Sequence, residues 1–113
     1  MDEVLKEHFP HGGGSNFIGN NKPLVRAHLL VRGRVQGVAF RAFTQQQAVH
    51  LNLKGWVKNL PDGCVEAEVE GEQARVDIFL STVRQGPPLA HVEQVQTTWI
   101  SVKNEVEVFH IIR

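Results

Sequence analysis

The sequence predicts an α+β domain of the ferredoxin-like, split β-α-β type: a mainly antiparallel sheet carrying two helices on one of its faces. Three observations point there. From Leu24 onward, Val25, Ala27, Leu29 and Val31 alternate with Arg26, His28, Leu30 and Arg32, the period of a strand with one side in a core. Two later stretches repeat their apolar residues at helical spacing instead. Between those stretches lie two short strand-like runs joined by Pro61-Asp62-Gly63, a strong turn signal.

Taken in order, the first strand ends in the glycine-rich turn Gly33 to Gly37. Phe40, Phe43, Ala48 and Leu51 then share one side, which predicts a helix from about Ala39 to Leu51. Leu53 to Asn59 and Cys64 to Glu70 should pair as a hairpin. Val76, Phe79, Leu80 and Val83 form the i, i+3, i+4, i+7 stripe of a second helix, from about Glu72 to Gln85, and Gly86-Pro87-Pro88 stops it. Val92 to Val102 and Glu105 to Arg113 read as the last strands, with Asn104 assisting the turn between them. Glu107 falls in phase with Phe109 and Ile111, so a bulge there is open.

The 113 residues suit one domain, and 42% apolar content is that of an ordinary globular chain. Twelve basic and 12 acidic side chains cancel, so the chain lacks the cationic surplus of a general nucleic-acid coat or a polybasic membrane anchor. Any anion site must be local. The single cysteine, Cys64, has no internal disulfide partner, and no run is apolar enough for a membrane span or a signal peptide, so a cytoplasmic location is expected. Cys64 opens its strand in phase with the glutamates, which predicts an exposed thiol. Residues 1–23 read as a flexible extension to a 24–113 domain, because His11-Gly12-Gly13-Gly14-Ser15-Asn16 and Gly19-Asn20-Asn21 are too polar and pliant to order unaided. His8 and His11 are better read as a solvated tail than as metal ligands, while Val4, Leu5, Phe9, Phe17 and Ile18 leave docking of part of the tail open.

Gly33-Arg34-Val35-Gln36-Gly37-Val38-Ala39-Phe40-Arg41 joins the end of a strand to the start of a helix. Glycines let successive N–H groups converge on one point, and the helix's first turn adds unpaired N–H groups and a positive dipole end. Such a loop can seat phosphate, with Arg41 supplying a charged fork. It is neither a P-loop nor G-x-G-x-x-G, and a tight turn followed by a surface arginine is the competing reading. Arg32 and Arg34 suit solvated roles, and Gln36 suits a brace within the loop. Asn59, at the end of Gly55-Trp56-Val57-Lys58-Asn59, has a donor and an acceptor but no basicity. It could hold a water in line for attack, or simply satisfy turn backbone. Lys58 reads as a solvated charge and Trp56 as a half-buried packing residue.

The segment Gly33 to Arg41 resembles the first signature of the acylphosphatase family, and Gly55 to Asn59, followed by Gly63, Val65 and Gly71, is similar to the second. Phe109-His110-Ile111-Ile112-Arg113 resembles the family's last strand, so the likeness runs from Leu24 to Arg113. It implies a phosphoric anhydride hydrolase acting on acyl phosphates, without metal or cofactor. It implies that Arg41 is the phosphate-binding catalytic arginine and Asn59 the residue positioning the nucleophilic water. The backbone of Arg34, Val35, Gln36, Gly37, Val38, Ala39 and Phe40 would be the cradle. Leu60 departs from relatives that carry a hydroxyl residue beside the asparagine.

Such a minimal site fits such a substrate. A carboxylate leaves without being protonated, so positioning and charge stabilisation supply most of the catalysis. Neither motif offers a carboxylate or histidine base, and the water's proton can pass to the substrate's own phosphate. His28, His50, His91 and His110 lie outside both motifs. RNA binding, the other common use of this fold, is disfavoured because Glu66, Glu68 and Glu70 put a negative stripe on the open sheet face and the aromatic signature is missing. A regulatory acylphosphatase-like domain, of the kind found inside larger proteins that handle carbamoyl phosphate, is the nearer alternative. The end of the chain directly after the last strand favours a free-standing enzyme. The expected partner is a small acyl phosphate, with no nucleic acid or membrane, and the expected state is a monomer.

Overall fold

Val25, Ala27, Leu29 and Val31 are all buried, while Arg32 on the opposite face is exposed. They lie on β2 (Lys22–Arg34), the longest strand in a computed structural model that describes residues 17–18 and 22–113. Most of the expected extension, with His8 and His11, lies outside those residues. Within it, β1 (Phe17–Ile18) pairs antiparallel with Lys22 and Pro23 at the start of β2.

The chain continues through α1 (Phe40–His50), β3 (Lys54–Asn59), β4 (Val65–Glu72), α2 (Gln73–Gln85), β5 (His91–Ile100) and β6 (His110–Ile112). Along the sheet the order is β1-β2-β4-β3-β6, with β5 also pairing β2. All pairings are antiparallel except β3 with β6. The fold class is the expected one.

Both helices lie on the same face. Val76, Phe79, Leu80 and Val83 of α2 enter one buried cluster with Phe40 and Ala48 of α1 and with the inward residues of β2, β3 and β4. The inward stripe of α1 differs from the expected one: Thr44, not Phe43, is buried, and its hydroxyl donates to the Phe40 carbonyl at 2.9 Å. A backbone partner one turn earlier lets a polar side chain sit inside without an orphaned group.

The C-terminal strands are shorter than their patterning predicts. β5 stops at Ile100, and of the 105–113 stretch only His110–Ile112 is strand, preceded by an isolated bridge from Val108 to Lys54. The cause is Glu70. Its carboxylate accepts the backbone N–H groups of Lys103 (2.8 Å) and Glu105 (3.0 Å), which draws this segment across the open face instead of along a strand. Asn104 between them takes a left-handed φ of 57°. Glu70 is 2% exposed and is also held by the Arg26 guanidinium at 3.0 Å, itself 1% exposed.

The acidic stripe is therefore not a bare negative surface. Arg26 also pairs with Glu68 (2.8 Å) and Glu105 (3.3 Å), His28 meets Glu66 at 2.7 Å, and Lys103 meets Glu68 at 3.1 Å. Among the described residues, no helix is long and apolar enough to cross a membrane.

Candidate active site

The turn after β2 is built from backbone angles that few residues accept. Gly37 has φ 74° and Ala39 φ 64°, two left-handed residues within three positions. An alternation of this kind turns neighbouring N–H groups toward the same point. Ala39 has a Cβ and takes that angle at a cost of about 1–2 kcal/mol, a strain of the sort found where a loop serves a site.

Ala39 is also the N-cap of α1, and among the described residues no side chain caps the helix there. No acidic residue occupies the first turn. The opening N–H groups and the positive dipole end thus lack the compensation that a Ser, Thr or Asp would give. Phe40, 2% exposed, pins this turn into the core, and Arg41 follows it half-buried. Among the described residues, no ion pair involves Arg41.

Asn59 comes from the other half of the fold. On β3, Lys54, Trp56 and Lys58 share the open face, and Gly55, Val57 and Asn59 share the helix face. Gly55 has φ 132°, and a Cβ there would run into the backbone carbonyl of Glu68 on β4, so glycine is required for the two strands to pair this closely. Val57 is fully buried, and two residues on Asn59 reaches the end of the strand opposite Val65.

The two halves meet in an open pocket of about 200 Å³. It is lined by Val35, Gly37, Ala39, Phe40, Arg41 and Ala42, together with Asn59, Ile111 and Arg113. Of the expected cradle, Val35, Gly37, Ala39 and Phe40 line this space, whereas Arg34, Gln36 and Val38 do not. Gln36 instead turns sideways, its Nε2 donating to the carbonyls of Leu60 and Cys64, each at 2.8 Å. The side-chain oxygen Oδ1 of Asn59 is buried and, among the described residues, has no hydrogen-bond partner. A buried acceptor left unpaired costs roughly 1–3 kcal/mol, which a bound donor would relieve.

Among the described residues, no carboxylate or imidazole side chain is part of the lining. Trp56 and Lys58 lie on the opposite face, with the ammonium 5.5 Å from the indole centroid. Arg32 is there too, its Nη1 donating to Cys64 Sγ at 3.6 Å. Contrary to the expected exposure, Cys64 is 4% exposed. It precedes β4 and belongs to the turn, where its N–H donates to Asp62 Oδ1 at 3.0 Å and the Arg32 side chain closes over its sulfur. Burial pushes the thiol pKa up and the Asp62 carboxylate adds to the shift, so Cys64 stays a neutral thiol.

In the sequence Arg113 stood out only as the end of the segment that resembles the family's last strand, with no site role assigned to it. A parallel partner for β3 was needed to bring the end of the chain to this rim.

The family model described as Acylphosphatase matches residues 27–111. The chain belongs to the acylphosphatase family. It is 48% identical over 87 residues to an acylphosphatase from Anaeromyxobacter dehalogenans, spanning 77% of this chain and 94% of that one. It is 52% identical over 75 residues to an acylphosphatase from Thermococcus kodakarensis, spanning 66% and 82%. The crystal structure of an acylphosphatase from Bacillus subtilis superposes with a TM-score of 0.76 at 36% identity, covering 79% of this chain and 99% of that one. Membership makes the chain an enzyme of the acylphosphatase type.

Proposed function

We propose that this member of the acylphosphatase family hydrolyses acyl phosphates by in-line attack of a water held by Asn59 on a phosphoryl group held by Arg41 and the backbone N–H groups of the 34–40 loop. One observation carries the reading. Arg41, Asn59 and an uncapped helix N-terminus border the same pocket.

The Arg41 guanidinium presents planar paired donors to two phosphoryl oxygens, and the loop and helix N–H groups address the rest. These charges are already in place when the transition state forms, so little reorganisation opposes it. The Asn59 oxygen, unpartnered among the described residues, accepts a hydrogen bond from the water and directs a lone pair of that water at phosphorus. As the new P–O bond forms, the bond to the acyl oxygen breaks and the carboxylate departs with its electron pair. The water's proton passes to a phosphoryl oxygen. The apolar lining from Val35, Ala42 and Ile111 leaves room for the acyl group without binding it tightly.

Phosphate release from benzoyl phosphate in ¹⁸O-labelled water, with a chelator present, tests the reading. Undiminished hydrolysis with the label entering inorganic phosphate is expected. Label in the benzoate, or activity lost on chelation, would overturn it.

A further inference from the structure

We infer that Gln36 is a positioning residue that sets the distance between the phosphate cradle and the water-holding amide, and so acts on turnover through Asn59. The inference rests on the reading of Asn59 given above.

Gln36 belongs to the cradle loop, yet its side chain does not line the pocket. Its amide donates to Leu60 O and Cys64 O, both at 2.8 Å, the two carbonyls that close the base of the β3–β4 turn. Leu60 directly follows Asn59. Each carbonyl already has a backbone donor: Leu60 N–H reaches Cys64 O at 2.9 Å, and Gly63 N–H reaches Leu60 O at 3.2 Å. The turn therefore satisfies its own polar groups without Gln36, and removing the amide orphans neither carbonyl. What the amide adds is a tie between two segments that are distant in sequence.

That tie joins, beside the pocket, the two segments that border it. On one side stand the N–H groups that hold the phosphoryl oxygens; on the other stands the amide that holds the water. In-line attack needs those two points separated by a fixed distance, and a shift of about 1 Å can cost on the order of 10²-fold in rate. Phosphate binding needs only the cradle side. Loss of the tie should therefore lower kcat and spare phosphate affinity.

The experiment is a double-mutant cycle of Gln36→Met and Asn59→Ala, read by kcat for benzoyl phosphate and by competitive inhibition with inorganic phosphate. Gln36→Met alone is expected to lower kcat roughly tenfold or more while the inhibition constant stays within ~3-fold. In the Asn59→Ala background the same change should lower kcat by less than ~3-fold, because the group it positions is gone. A wild-type kcat for Gln36→Met, or a full multiplicative loss in the Asn59→Ala background, would overturn the inference and leave the role of Asn59 standing. Near-normal turnover by Asn59→Ala alone would overturn both. If Gln36→Met does not melt cooperatively, Gln36→Asn, which keeps the amide but shortens its reach, takes its place with the same outcomes.

Discussion

Arg41, in the first turn of α1, and Asn59, at the end of β3, border a single pocket from different sides, and neither owes its place to the other. Arg41 follows Phe40, whose buried ring pins the helix start, and Asn59 is carried by the strand face that buries Val57. Neither support includes the other side chain, so each can be altered with the other left in place.

For Arg41 the geometry of the fork matters as well as the charge. Arg41→Lys keeps a cation but loses paired, planar donors. Loss of one charged hydrogen bond is worth about 1.5–3 kcal/mol, so kcat/KM for benzoyl phosphate should fall roughly 10- to 150-fold. Inhibition by inorganic phosphate should weaken in parallel, because the same donors hold both.

The leaving group defines the next expectation. Among the described residues, the lining has no carboxylate or imidazole side chain to protonate an alkoxide, and general acid catalysis is commonly worth about 10²–10⁴-fold. Phosphate release from a simple alkyl phosphate should run at least ~10²-fold slower than from benzoyl phosphate. Comparable rates would mean that an acid operates at the site.

Arg113 is an exposed cation on the same rim and, among the described residues, makes no ion pair. Its contribution should be a field that guides the anion inward, and such fields fade once the screening length shrinks below about 10 Å. Arg113→Ala should lower kcat/KM several-fold at low salt. The deficit should shrink toward nothing in ~0.5 M salt, as kinetics in a salt series would read.

On the opposite face, the Arg26–Glu70 pair is nearly sealed from solvent. Glu70→Ala leaves a buried guanidinium short of a partner and two backbone N–H groups without an acceptor. Denaturant unfolding should show a loss of about 3–5 kcal/mol. Its neighbour Glu68 ties this network to pH. Burial alone would raise the Glu68 carboxyl pKa, but hydrogen bonds from Arg26 and then Lys103, with their charges, outweigh it and hold the pKa below the ordinary carboxylate value. A carboxylate with a lowered folded-state pKa contributes stability above its unfolded pKa and loses it as pH falls through the folded value. Between neutral and acid pH, denaturant unfolding should therefore show the wild type losing more stability than Glu68→Gln, whose amide does not titrate.

Local chemistry made much of this legible in the sequence. The alternation from Val25 to Val31, the α2 stripe ending at Gly86 and the Pro61-Asp62-Gly63 turn all act over a few residues, and each forms the expected element. The missing parts depend on contacts between distant segments. Glu107, Phe109 and Ile111 alternate as a strand would, yet the chain before Val108 is drawn away by Glu70, far off in sequence. Thr44 displaces Phe43 from the interior because the sheet, not the helix, decides which side is covered. For the site, the turn glycines and the residue types at positions 41 and 59 were readable. The left-handed angle at Ala39, the sideways path of the Gln36 amide and the arrival of Arg113 belong to tertiary structure.

Turnover by Asn59→Ala tests the central claim most directly. With Arg41 and the cradle intact, kcat for benzoyl phosphate should fall by ~10²–10³-fold while inhibition by inorganic phosphate stays within ~3-fold of wild type. A kcat close to that of the wild type would contradict the account, since water would then be reaching phosphorus without the amide assigned to hold it.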